Sequence, residues 1–183
     1  MKDLVLDAAR SRVRLQTFAE GLFARLAHDL ELSCGELSGT GRGEGATAGS
    51  ADIDAPLRAV TVTGVLRKDG SIDAGGLSPS DRNDCLAKMR SDVFHDRGDG
   101  VVRVEARVEA GAARVRVVPP NGKAVEVTTR PDVRAEGDAI RASGKLEISL
   151  SAIGSDVVKG PMGAFRVKDV VTVVYDVVFV PKG

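Results

Sequence analysis

Several segments of the chain alternate apolar and polar residues strictly, and residues 102–109 form the clearest of them. A period of two residues is typical of a β-strand that buries one face and exposes the other. The same pattern recurs around Val13, Val115, Val125 and Ile148. The chain is therefore predicted to be an all-β protein in which the apolar faces of the strands cover one another or a common interior.

Short turn sequences separate the predicted strands of the second half of the chain. Turns at residues 110–111, 119–122 and 137–138 each lie between two alternating segments, and such short connections join antiparallel neighbours. Further predicted strands lie at residues 12–17, 27–37, 57–67 and 169–180. The count reaches about eight, the number at which an antiparallel barrel can close around one small ligand. A sandwich of two sheets is the competing arrangement.

One segment breaks the two-residue period and is predicted to be a helix. Ser78, followed by a proline, is a typical helix start, and apolar residues follow it at helical spacing through Val93. We place this helix at residues 79–94. The glycine-rich segments 42–50 and 151–168 are predicted to be loops.

Length and composition favour a single domain spanning residues 1–183. The chain is 43% hydrophobic and 28% charged, and its 26 basic and 26 acidic residues cancel. We therefore expect no nucleic-acid partner. No apolar run approaches the roughly 18 residues of a membrane span, and residues 4–6 are too short for the core of a signal peptide. The protein is expected to be soluble, without stable membrane insertion, and cytoplasmic, or periplasmic if an export signal has been removed.

The last predicted strand, residues 169–180, is apolar on both faces. Such a strand either lies in a sheet covered by a helix or lines an internal cavity on one side while the helix packs on the other. The chain has no Trp and only 3% aromatic residues, so aliphatic side chains would line a barrel interior. They could leave a narrow apolar tunnel, or they could pack into a solid core.

His28 is the most notable polar residue, because the alternation places it on the same strand face as Leu30, Leu32 and Cys34. We interpret it as an inward histidine that is either satisfied by a hydrogen bond or in contact with a ligand. Only one other histidine is present, and no cofactor or nucleophile motif is found, so we predict no metal centre and no cofactor. Cys34 and Cys85 lack a CxxC partner and are expected to be free, buried thiols.

Several short strings resemble motifs of the YceI-like family, and together they span nearly the whole chain. Residues 6–11 resemble its opening Asp-Pro-Ala-His-Ser motif, with Ala8 and Arg10 in place of the proline and the histidine. The remaining strings resemble the second strand of the family, the segment that ends in Ser-x-x-Phe-Phe-Asp, and the final hairpin. They lie at residues 26–30 with 35–39, 80–95, and 144–146 with 153–154 and 167–171.

This resemblance implies an extended, lipocalin-like antiparallel barrel that encloses a long amphiphile such as a polyisoprenoid. The expected fold is thus all-β, an eight-stranded antiparallel β-barrel with one helix near residues 79–94. We predict that the protein is not an enzyme and that it binds an isoprenoid or fatty-chain lipid as a carrier or sequestering protein. A homodimer is left open. Two alternatives are an enzyme that acts on the bound amphiphile and a solid-core barrel that serves as a protein interaction module.

The predicted ligand-binding residues form the apolar wall of the barrel, with one histidine near its polar end. They are Phe18, His28, Leu30, Leu32, Val104, Leu146, Ile148, Val173, Tyr175 and Phe179.

Overall fold

The computed structural model describes residues 1–22, 24, 27–45, 48–96 and 98–183, and within them the chain forms fifteen β-strands and one α-helix. The helix is α1 (Pro79–Lys88). The strands are β1 (Lys2–Leu6), β2 (Arg12–Thr17), β3 (Ala19–Glu20), β4 (Leu30–Cys34), β5 (Ser38–Glu44), β6 (Ala48–Pro56), β7 (Val60–Leu66), β8 (Ile72–Asp73), β9 (Val101–Glu109), β10 (Ala112–Val118), β11 (Val125–Thr129), β12 (Asp132–Glu136), β13 (Ala139–Ser149), β14 (Arg166–Val167) and β15 (Val170–Pro181).

Thirteen of these strands form one curled antiparallel sheet. Strand β15 pairs with β13 along one edge and with both β1 and β2 along the other. From β1 the sheet continues through β5, β6, β9 and β10 to β11, while β13 continues to β12. Strands β11 and β12 are separated by only two residues, and Thr129 Oγ1 of β11 donates a hydrogen bond of 2.9 Å to the backbone oxygen of Lys145 in β13. The sheet therefore curls into an all-β, barrel-like fold.

The described strands outnumber the eight predicted ones because turns interrupt the long strands. A 3₁₀ turn at Leu57–Ala59 separates β6 from β7, and residues 35–37 separate β4 from β5. The predictions at residues 12–17 and 169–180 are confirmed as β2 and β15, and the strand predicted at 57–67 begins later, as β7 at Val60. The strand predicted at 27–37 is shorter, since β4 covers only Leu30–Cys34. Strand β1 was not predicted.

The prediction of a loop at residues 42–50 is wrong. Apart from residues 46–47, which lie outside the described part, the segment forms the end of β5, one turn residue and the start of β6, and the two strands pair as a hairpin. The inward positions of β5 are occupied by small residues, so a pattern of bulky apolar side chains does not reveal this strand. A β-carbon added at Gly41 would lie 3.2 Å from the Phe179 ring, and one at Gly43 would lie 3.0 Å from Ile140 Cδ1. Glycine therefore makes room for large side chains from β13 and β15.

The predicted helix lies where the sequence places it, and its geometry changes near the end. Helix α1 begins with a capping box in which the Ser78 hydroxyl accepts a hydrogen bond from Asp81 N–H and the Asp81 carboxylate accepts one from Ser78 N–H. It continues into a π-helical turn at Met89–Val93. Met89 and Val93 pack into the two apolar clusters of the interior, so the helix lies across one end of the sheet. No described helix is both long and apolar enough to cross a bilayer.

A test of the interior packing is available at Gly144, which pairs with Tyr175 across β13 and β15. A β-carbon at position 144 would lie only 2.6 Å from the tyrosine Oη, so Gly144→Ala must displace the ring. We expect this variant to lose about 1–3 kcal/mol in the free energy of unfolding. Ser143→Ala, on the opposite strand face, is the matched control and should change it by less than about 0.5 kcal/mol. Urea unfolding measures both, and equal losses in the two variants would contradict the contact.

Candidate functional site

The inward faces of the strands line a partly open cavity of about 350 Å³, which we call the tunnel. Its volume lies within the range of about 300–1,000 Å³ that is common for small-molecule sites. Its wall includes β15 from Val171 to Phe179, a distance of about 26 Å at 3.3 Å per residue. A volume of this size spread over this length makes the cavity long and narrow.

Alternating residues of the long strands form the tunnel wall. Strand β15 contributes every second residue, which are Val171, Val173, Tyr175, Val177 and Phe179. Strand β9 contributes Val102, Val104, Ala106 and Val108 in the same way. The predicted alternation of the two faces is confirmed in β9, whose outward residues are the more exposed ones. Strand β15 does not alternate in burial, since Val178 on its outward face is only 1% exposed. The inward residues share one continuous interior.

Most of the sequence-predicted ligand-binding residues line the tunnel. Eight of the ten do so, and they are Leu30, Leu32, Val104, Leu146, Ile148, Val173, Tyr175 and Phe179. They come from four strands, β4, β9, β13 and β15, and the curled sheet brings them together. Within the described chain, Phe18 and His28 do not belong to this wall. Whether the wall binds a ligand stays a prediction.

The prediction that Phe18 lies in the tunnel wall is wrong, because the inward residues of β2 are its odd-numbered ones. Val13, Leu15 and Thr17 line the tunnel, so the next residue faces away from it. Phe18 is half-buried, and its backbone oxygen accepts a 2.7 Å hydrogen bond from Lys168 N–H. The inward position at this end of β2 is occupied by Thr17.

The interpretation of His28 as an inward histidine is wrong, because its side chain is exposed. Strand β4 begins only at Leu30, so the alternation does not extend back to residue 28. Asp29 is held by two hydrogen bonds: its carboxylate accepts one from Ala19 N–H, and its backbone oxygen accepts one from Leu66 N–H. His28 lies near the start of α1, where hydrogen bonds from Ser78 lower the pKa of Asp81 and His28 contributes to a smaller extent.

Helix α1 and the turn after it close part of the tunnel, a role that the sequence analysis did not assign. Cys85, Met89, Val93 and Phe94 all line it. Their helical spacing was the available signal, but a helical apolar stripe by itself does not reveal which surface it covers. At the other end, Gly45 and Ala48 of the β5–β6 hairpin line the tunnel and are exposed.

The described side chains that reach the tunnel leave it uncharged at neutral pH. Burial, with a smaller contribution from Glu36, raises the pKa of Cys34 to about 11, and burial also raises the pKa values of Cys85 and Tyr175. The guanidinium of Arg42 is exposed and pairs with Asp3 at 2.9 Å. An uncharged apolar tunnel offers water few hydrogen bonds. It is therefore suited to an apolar chain.

Comparison with known proteins identifies the fold and no family. No family model matches this chain, and no curated protein matches it significantly in sequence. Its structure is similar to the crystal structure of BcnA from Burkholderia cenocepacia, with a TM-score of 0.64 and 18% sequence identity. The match covers 94% of this chain and 98% of BcnA. A likeness at this level of identity shows a shared barrel-like β fold over nearly the full length of both chains.

The reactivity of the two cysteines measures how accessible the tunnel is to a reagent, because both side chains line it. With the pKa of Cys34 near 11, only about one thiol in a thousand is ionised at about pH 8. We expect Cys34 and Cys85 to react slowly with Ellman's reagent in the native protein and rapidly in urea. A Cys34→Ser variant isolates the contribution of Cys85. Prompt reaction of both thiols in the folded protein would contradict the burial that raises their pKa values.

Proposed function

We propose that this protein binds one long-chain amphiphile, an isoprenoid or fatty-chain lipid, and acts as a carrier or sequestering protein. The apolar chain would occupy the tunnel, and the polar head group would lie at one of its ends. The observation that supports this proposal most strongly is the continuous, uncharged, apolar wall. It extends along β15 from Val171 to Phe179 and is completed by helix α1.

The energetics of transfer suit a carrier. Burying one methylene group from water gives about 0.8 kcal/mol, so a chain with many such groups gains far more than ordinary affinities require. An amphiphile normally has its chain in a membrane, however, and transfer from lipid to a dry tunnel is nearly neutral. Exchange with a membrane is then reversible. Contacts to the head group would decide which amphiphile is selected.

The shape of the tunnel favours a single slender chain. A volume of about 350 Å³ is near the lower limit for ligand sites. Large side chains fill much of the interior, since Phe179 occupies the space above Gly41 and Ile140 the space above Gly43. One linear or methyl-branched chain fits this space better than a fused ring system.

We also propose that the interrupted strands work as eight long strands of a lipocalin-like barrel. Four of these would be the pairs β1 with β2, β4 with β5, β6 with β7 and β11 with β12, and the other four would be β9, β10, β13 and β15. The two members of each pair follow one another in sequence. Strands β1 and β2 both pair with β15, and β5 and β4 pair with β6 and β7 in the same way. Eight is the strand number that encloses one small ligand. The sequence resemblance to the YceI-like family supports the same arrangement.

One observation weighs against each of the two alternative functions. An enzyme acting on the amphiphile depended on His28 pointing inward, and His28 is exposed. An interaction module depended on a solid interior, whereas the described interior contains the tunnel. Binding of an amphiphile is therefore the function that the geometry supports best.

Filling the tunnel should abolish binding. Ile148 of β13 lines the tunnel and is 4% exposed, while its neighbour Glu147 is exposed on the opposite face. We expect Ile148→Trp to weaken binding of a fluorescent fatty acid such as cis-parinaric acid at least tenfold, because the indole occupies the space of the chain. Glu147→Trp adds the same group outside and should bind like the wild type.

Urea unfolding is the control that both variants keep the fold. If Ile148→Trp does not fold, Ala106→Leu makes a smaller addition to the same wall from β9. A folded tunnel variant that binds the fatty acid as tightly as the wild type would overturn the proposal.

A further inference from the structure

The ladder of paired strands around the tunnel is interrupted between β11 and β13. Strand β13 pairs with β15 along almost its whole length, but on its other edge it pairs with β12 only from Ala139 to Ser143. Strand β11 pairs with β10 and, among the described strands, with no other. Residues 144–149 therefore lie beside β11 without a backbone ladder between them. We call the boundary between residues 125–129 and residues 144–149 the seam.

One hydrogen bond and a few apolar contacts hold the seam together. Thr129 Oγ1 donates 2.9 Å to the backbone oxygen of Lys145, and the described residues form no other hydrogen bond across the seam. Val125, Val127 and Leu146, all half-buried, pack against one apolar cluster on its inner side. By comparison, β6 and β9 pair over nine residues. Parting β11 from β13 thus breaks one hydrogen bond, whereas parting two paired strands of the wall breaks several.

Tyr175 lies directly behind the seam. Its Oη would be only 2.6 Å from a β-carbon at Gly144, so the ring covers the backbone of β13 just where the ladder with β12 stops. Burial raises the pKa of Tyr175, and a hydrogen bond with Thr129 lowers it to a smaller extent. Along β15, Tyr175 is midway between Val171 and Phe179, the limits of the wall that this strand forms. The seam therefore adjoins the middle of the tunnel.

Large side chains obstruct both ends of the tunnel. Near the β5–β6 hairpin, Phe179 and Ile140 fill the space above two glycines of β5. Near the helix, Met89 and Val93 are buried and line the tunnel. A chain that enters through either end must displace these side chains. A chain that enters through the seam bypasses both pairs.

We propose that the seam is a side entrance to the tunnel. Strand β11 parts from β13, the apolar chain enters sideways, and the hydrogen bond from Thr129 to Lys145 closes the wall again. Thr129 is not among the described residues that line the tunnel, so its bond controls the rate of exchange and not the affinity. The entry of an amphiphile rests on the proposed function, whereas the opening of the seam is measured without a ligand.

Stopped-flow fluorescence with cis-parinaric acid tests the entrance. Thr129→Val keeps the shape of the side chain and removes the hydrogen bond. Because one net hydrogen bond changes an equilibrium constant by about two- to tenfold, we expect kon and koff to rise together by about that factor while Kd changes by less than about twofold. Thr128→Val, on the exposed face of β11, is the matched control and should leave both rates unchanged. Unchanged rates in Thr129→Val, or a change in Kd without a parallel rise of both rates, would overturn the proposal.

Cys34 measures the opening of the seam without any ligand. In a Cys85→Ser background, Cys34 is the one thiol that lines the tunnel. Thr129→Val should speed its reaction with Ellman's reagent by about two- to tenfold, and Thr128→Val should not. The rate should depend little on urea below the unfolding transition, because a local opening exposes little surface. An acceleration that follows the urea dependence of global unfolding would contradict a local opening at the seam.

A variant of the helix tests the competing route. Ser78→Ala removes the capping box of α1 and loosens the helix that closes one end of the tunnel. If fatty-acid exchange and Cys34 reactivity respond to Ser78→Ala and not to Thr129→Val, the entrance lies at the helix and the seam proposal is wrong.

The two assays together separate this inference from the proposed function. A wild type that takes up the fatty acid, with no response to Thr129→Val in either assay, would overturn the seam and leave the carrier intact. A wild type that takes up no fatty acid, with faster Cys34 reaction in Thr129→Val, would contradict the carrier and support the seam as the opening of the tunnel.

Discussion

The pairing of β15 along both of its edges is the interaction on which the rest of the structure depends. It joins β13 on one side to β1 and β2 on the other, and Ser11 Oγ fills the break between β1 and β2 by accepting a hydrogen bond from Val178 N–H. On the outer face, Arg141 of β13 pairs with Asp176 of β15. Every second residue of β15 faces the same side of the sheet. Because both edges of β15 are paired, the sheet curls around that side and forms the tunnel.

An unfilled apolar interior is unusual, because protein cores normally pack as densely as organic crystals. Here the walls are held apart by backbone pairing, and the atoms that line the tunnel lack contacts on one side. An apolar chain would restore those contacts without any need for polar partners. In the proposed function, the tunnel would hold the apolar chain and would contribute little to which amphiphile is chosen. That choice would depend on contacts to the head group at the ends of the tunnel.

Bulky alternating residues made much of the fold and wall predictable from the sequence. Ile148 and Val173 were placed correctly in the wall because each belongs to a long, regular strand. Strand β5 was not predicted because Gly41 and Gly43 occupy its inward positions, and glycine does not contribute to a pattern of hydrophobic residues. His28 was misplaced because the alternation was extended beyond the start of β4. Closure of the tunnel by α1 depends on contacts between residues distant in sequence, which no local pattern contains.

Native mass spectrometry of the freshly purified protein, before and after organic extraction, tests the central claim most directly. The account predicts one amphiphile per chain that extraction removes, or uptake of one isoprenoid or fatty acid by protein that is purified empty. Its identification would also show which head group the ends of the tunnel select. Protein that is bare after purification and takes up neither kind of chain would contradict the account, because the tunnel would then have no apolar occupant.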